Sequence, residues 1–92
     1  MKKYYLLYFI EKPMKLLHFT LFSFLGIPIE DIISNKDGYL KLEKFSSKES
    51  TENYLQFILD NYKKHPLCEK ERFRIMDEKE LNEFIIMKEI IE

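Results

Sequence analysis

Seven consecutive apolar residues, Tyr4-Tyr5-Leu6-Leu7-Tyr8-Phe9-Ile10, stand near the start of a chain of 92. The run is far too short to cross a bilayer as a helix. It is short and aromatic, which favours a strand. A strand sends successive side chains to opposite faces, so an unbroken apolar strand needs neighbours on both sides. Glu11-Lys12-Pro13 ends the run. The expectation is a central strand, and the rest of the chain has to be arranged around it.

The remaining segments supply the arrangement. Pro13 suits the first turn of a helix, and Met14 to Leu25 reads as that helix, stopped by Gly26. Leu17, Leu21, Phe24 and Leu25 share one face, with Phe19 and Phe22 off that stripe, so the helix is apolar nearly all round. Ile27 to Ser34 reads as a strand closed by a turn at Asn35-Lys36-Asp37-Gly38 onto Tyr39-Leu40-Lys41-Leu42-Glu43-Lys44-Phe45, which alternates with period two. Ser46 with Glu49 forms a capping box. Leu55, Ile58, Leu59 and Tyr62 follow at helical spacing, and the helix ends near Lys63-Lys64-His65 before Pro66. Arg72 to Met76 alternates as a strand. Asp77 to Glu92 reads as a turn or short helix followed by a strand, with a helix to the end as the other option, since Asp77 and Glu80 form a capping pair.

The order β-α-β-β-α-β with an extra C-terminal strand or helix is the ferredoxin-like split βαβ pattern of a single small α+β domain. A sheet of that kind carries helices on one side only. Its open face is expected to bear Tyr4, Leu6, Tyr8, Tyr39 and Phe45, an exposed aromatic patch of the type that marks a binding surface.

Motifs for chemistry are weak. The segment Ser34 to Phe45 resembles half of an EF-hand loop, with Asn35, Asp37 and Gly38 in register. Ile33 then falls where a carboxylate must coordinate, and Lys44 falls where a bidentate glutamate is required, so calcium is not expected. His65 and Cys68 have the spacing of half a zinc site, but the only other histidine is His18 and there is no second cysteine. His18 and Cys68 as base and nucleophile lack a glycine-rich turn for an oxyanion hole. Two glycines in the chain leave no phosphate-cradling loop. Neither an enzyme nor a metal or other cofactor is expected.

Charge and cysteine usage describe the setting. The net charge of −1 gives no global pull on polyanions. Charges are nevertheless segregated. Residues 1–15 hold four lysines and one glutamate, residues 63–76 five basic and two acidic residues, and residues 77–92 six acidic and two basic ones. A lone cysteine forms no internal disulfide, which fits a reducing cytoplasmic compartment. The apolar run at the start has no cleavage site after it, so a soluble protein is expected, with no membrane partner. The absence of Ala, Val and Trp beside abundant Ile, Lys, Asn, Tyr and Phe points to an AT-rich genome.

These readings converge on a small protein that works by contact. The expected function is a non-catalytic inhibitor that masks a partner's surface, of the kind that phages and mobile elements carry. Anti-CRISPR proteins and toxin-immunity proteins are the class analogues. Its partner-binding residues are expected to be Tyr4, Tyr8, Tyr39, Lys41, Phe45, Arg72 and Arg74. The partner is a host or toxin protein, with a homodimer also possible. The alternative is a nucleic-acid-binding module that stacks bases on the aromatic sheet face and holds phosphates with Lys41, Arg72 and Arg74.

Overall fold

The computed structural model describes residues 2–11, 13–35 and 37–91, without the side chain of Ile91. The apolar run forms strand β1 (Tyr4–Phe9) at the centre of a three-stranded sheet. Strand β2 (Tyr39–Phe45) and strand β3 (Phe73–Asp77) flank it, and both pairings are antiparallel. Helices α1 (Leu16–Phe24) and α2 (Ile29–Ile33) lie between β1 and β2, helix α3 (Lys48–Asn61) between β2 and β3, and helix α4 (Glu78–Ile91) closes the chain. A 3₁₀ turn at Lys70–Arg72 leads into β3.

This is a compact α+β fold, and it departs from the expected ferredoxin-like topology. The split βαβ pattern needs a strand between residues 27 and 34. That segment is a helix. Pro28 is its extended N-cap, and Glu30 and Asp31 occupy the first turn, where carboxylates complement the positive helix end. Local helix chemistry outweighed the β-branched isoleucines there. Asn35 then bridges the turn before β2, accepting from the Gly38 N–H at 3.3 Å and donating to the Tyr39 carbonyl at 2.8 Å. Gly38 takes φ +81°, which a side chain would strain.

The last segment is also helical, from Glu78 to Ile91. Asp77 accepts from the Glu80 N–H at 2.8 Å, and Glu80 accepts from the Asp77 N–H at 3.2 Å. That reciprocal pair starts α4, and no turn-and-strand alternative follows. Helix α3 begins one residue later than its apparent capping box: Ser47 caps it, accepting from the Ser50 N–H at 3.1 Å. Helix α1 ends in a Schellman motif. The Ile27 N–H reaches the Phe22 carbonyl at 3.0 Å, the Gly26 N–H reaches Ser23 at 3.1 Å, and Gly26 takes φ +79°.

The sheet is covered on both faces, as the unbroken apolar β1 demanded. Leu6 and Tyr8 point into a core shared with Leu21 and Phe22 of α1, Ile32 of α2 and Ile58 of α3. Leu7 points the other way, with Tyr39 and Met76, against Leu81, Phe84 and Ile85 of α4. Helix α4 is tied at both ends. The Glu78 N–H donates to the Lys3 carbonyl at 3.1 Å, and the Lys88 ammonium donates to the Asp37 carbonyl beside the Tyr39 ring.

Candidate protein-binding site

The single open aromatic face expected from sequence does not exist. Two features divide its members. The first is α4, which covers Tyr39. The second is a bulge in β2. Leu6 pairs with Glu43 and Leu7 pairs with Lys41, so Leu42 is an extra residue in the ladder. One extra residue reverses the alternation beyond it. Tyr39 and Lys41 therefore lie on the α4 side, whereas Phe45 lies on the α3 side against Tyr54, with ring centroids 5.5 Å apart.

The expected contact residues fall into distinct environments. Tyr8 is fully buried between Phe22 and Phe73, edge-on to both at 5.1 and 5.0 Å. Its hydroxyl donates to the Leu67 carbonyl at 2.7 Å, and burial pushes its pKa up to about 12. Tyr39 is buried under α4, 5.3 Å from the Phe84 ring. Neither is available to a partner. Arg72 is spent on ion pairs with Glu69 at 3.1 Å and Glu11 at 3.5 Å. Lys41 and Arg74 are exposed and both stand opposite Leu7, on the two outer strands. With β1 between them, they are about 10 Å apart. The Arg74 guanidinium lies 5.6 Å from the centroid of the Phe9 ring.

Tyr4 and Phe45 are the members that come together. They are register partners at one end of the β1–β2 ladder, and both are half-buried. Tyr54 continues from Phe45 onto α3, and Phe57 lies nearly parallel to Tyr54 with centroids 6.4 Å apart. Phe57 is 55% exposed. Tyr4, Phe45, Tyr54 and Phe57 thus form a strip that runs from the edge of the sheet to the flank of α3. Burial raises the Tyr54 pKa, with the Glu43 carboxylate adding to the effect, so the phenol stays neutral. Sequence reasoning missed Tyr54 and Phe57. Their i, i+3 spacing places them on one helix flank, but the bulge that swings Phe45 towards them carries no marker such as glycine.

The groups that suggested chemistry have structural roles. The Cys68 thiol is buried, and burial pushes its pKa up, the opposite of what a nucleophile needs. Both His65 nitrogens are engaged: Nδ1 accepts from the Leu67 N–H at 3.1 Å, and Nε2 lies 2.9 Å from the Thr20 hydroxyl. Because the Thr20 hydroxyl already donates to the Leu17 carbonyl at 2.9 Å, His65 Nε2 carries the proton and donates. An apolar hollow of about 270 Å³ beside α1 lies among Ile10, Met14, Phe19 and Ile33, and among the described residues no ionisable group lines it.

His18 yields a pH prediction. It is buried, its Nδ1 accepts from the Lys15 N–H at 2.9 Å, and its Nε2 has no partner among the described residues. Burial lowers its pKa below the usual 6.5. A depressed folded pKa means that the unfolded chain takes up the proton first. The His18 contribution is therefore complete above about pH 6.5 and is lost as pH falls from there through the folded value. The melting temperature is expected to drop between pH 7 and pH 5 by more in the wild type than in His18→Leu. Parallel Tm curves for the two proteins would show that His18 is not the titrating group.

No family model, curated protein or solved structure matches the chain. No helix among the described residues is long and apolar enough to cross a membrane. Function is therefore read from the chain's own surface.

Proposed function

We propose that the protein acts by binding another protein, without chemistry, and that its anchor is the aromatic strip Tyr4–Phe45–Tyr54–Phe57. The observation that carries this reading is the state of those rings. Tyr54 and Phe45 are held by packing, while Phe57 projects into solvent beside them. Rigid, partly buried aromatics lose little entropy on binding and dominate interface energetics. The neighbouring edge strand β2 exposes Lys41, Glu43 and Lys44. Charges on an edge deter indiscriminate strand pairing, and they orient a partner of complementary charge. Occupying a partner's surface in this way is what an inhibitor or a toxin-immunity protein does.

The sheet-stacking route to nucleic acid loses its platform, because Tyr8 and Tyr39 lie under helices on opposite faces. The test is affinity capture from an extract of the source cells by wild type and by Phe57→Lys. A protein retained by the wild type is expected to be held at least about tenfold more weakly by the variant, a loss of roughly 1.4 kcal/mol. Equal retention by the two would remove the strip from the contact.

A further inference from the structure

The outer rim of the sheet offers a second kind of contact. β2 and β3 are both edge strands, and the chain treats them differently. β2 is interrupted by its bulge and exposes Lys41, Glu43 and Lys44. Such features deter strand pairing. β3 pairs with β1 in unbroken register.

The free groups on β3 follow from the ladder. Backbone groups of successive strand residues point to opposite sides. The Glu78 N–H bonds the Lys3 carbonyl and the Ile10 N–H bonds the Gly38 carbonyl, so the odd-numbered residues of β1 face β3 and the even-numbered ones face β2. Met76 and Arg74, the partners of Tyr5 and Leu7, therefore spend their backbone groups on β1. Phe73, Ile75 and Asp77 turn theirs outward. The Phe73 N–H returns to the Lys70 carbonyl, and the Asp77 N–H goes to the Glu80 carboxylate at 3.2 Å. The Asp77 carbonyl starts α4. What remains is the Ile75 N–H, the Ile75 carbonyl and the Phe73 carbonyl, which have no partner among the described residues.

A hollow of about 280 Å³ lies beside that window. Leu55, Leu59 and Ile75 form its floor, and Lys48, Glu52 and Lys70 stand at its rim. The α3 members lie on one stripe of the helix, on the opposite flank from Tyr54 and Phe57.

We infer that the β3 edge takes up an extended peptide segment of another protein as a fourth strand, running antiparallel, with an aliphatic side chain seated in this hollow. One guest residue exchanges both of its backbone bonds with Ile75, and the N–H two residues on reaches the Phe73 carbonyl. The side chain of that guest residue falls on the Ile75 face, over Leu55 and Leu59, and its neighbours turn to the Arg74 face. The unmet backbone groups call for a strand, and the floor calls for an apolar side chain. The rim holds both signs of charge, so charge selects little. A second copy fits less well. Two-fold pairing centred on Ile75 sets each Phe73 carbonyl against an Asp77 whose N–H is already taken, which leaves both carbonyls unmet. Centring it on Arg74 sets that guanidinium opposite its own copy.

Titration of the isotope-labelled full chain by NMR tests the inference, with a capped five-residue peptide that carries leucine at its centre and threonine elsewhere. Saturable shifts of the Ile75 amide and of the Leu55 and Leu59 methyls are expected, with a Kd of about 1 mM or tighter. Methylating the central peptide nitrogen removes the donor to the Ile75 carbonyl, and replacing the leucine by aspartate removes the apolar contact. Each change is expected to raise Kd at least about tenfold. Absence of saturable shifts up to about 5 mM peptide overturns the inference. So does equal affinity for either altered peptide. An Ile75 amide already protected from hydrogen exchange in the peptide-free protein also overturns it: at single mass the edge is filled within the chain, and at doubled mass by a second copy. Capture from cell extract reads the aromatic strip and this titration reads the β3 edge, so the two fail separately.

Discussion

Phe22→Ala is expected to destabilise the protein by about 3–5 kcal/mol. Phe22 has no solvent exposure, meets the Tyr8 ring edge-on at 5.1 Å, and joins α1 to the sheet. Removing it leaves a cavity in the cluster that holds Tyr8, Leu6 and Leu21, onto which the surroundings relax only in part. A domain of this size has a total stability of about 5–15 kcal/mol, so the variant is expected to be partly unfolded at 37 °C. Tyr8→Phe gives the paired control. It keeps the ring and deletes only the hydroxyl, leaving the Leu67 carbonyl without its 2.7 Å donor, which costs about 1–3 kcal/mol. Urea unfolding reads both as shifts in midpoint at constant slope. A Phe22→Ala loss below 1 kcal/mol would mean that α1 is not docked as described. Tyr8 adds an alkaline signature. Its folded pKa of about 12 stands above the ordinary 10, so its contribution is intact below about pH 10 and is lost as pH rises from there towards 12.

Leu81→Ala is expected to cost about 2–4 kcal/mol, and Ile86→Ala, five residues on in the same helix, to change stability by less than about 0.5 kcal/mol. The contrast follows from orientation. Leu81 is buried against Leu7, Tyr39 and Met76, whereas Ile86 points to solvent. If α4 were a loose appendage, both substitutions would be nearly silent. Differential scanning calorimetry on the two variants distinguishes these cases.

How much of this could be read from the chain depended on whether a segment's own residues decided its structure. β1 was legible because seven apolar residues in a row admit few other solutions. Its central place and its cover on two faces followed from the period of a strand alone. α3 was legible from its spacing, with its cap displaced by one residue because adjacent serines offer equivalent hydroxyls. Residues 27–34 and 77–92 were ambiguous because isoleucine-rich segments suit both strands and buried helices. Pro28 with two carboxylates, and the Asp77–Glu80 pair, decided them, and both signals were present in the sequence.

The orientation of α1 was not legible in the sequence. Leu17, Leu21, Phe24 and Leu25 share one face by spacing, yet Leu21 is buried while Leu17 and Phe24 face outward, since a helix that is apolar nearly all round offers no amphipathic stripe to fix its rotation. The candidate site was half legible. Tyr4 and Phe45 belong to the strip, but Tyr8 and Tyr39 do not. The fault lay in assuming an open sheet face, and the β2 bulge made it worse by putting Tyr39 and Phe45 on opposite faces. A bulge without glycine is a compromise between strands that no single strand encodes.

Hydroxyl-radical footprinting read by mass spectrometry tests the closed sheet and the open helix flank in one experiment. Phe57 and Phe24, both more than half exposed, are expected to be oxidised rapidly. Tyr8, Phe22 and Tyr39 are expected to be protected until the protein unfolds. Oxidation of Tyr8 and Tyr39 in the folded chain at the rate of Phe57 would show an uncovered sheet and contradict the account.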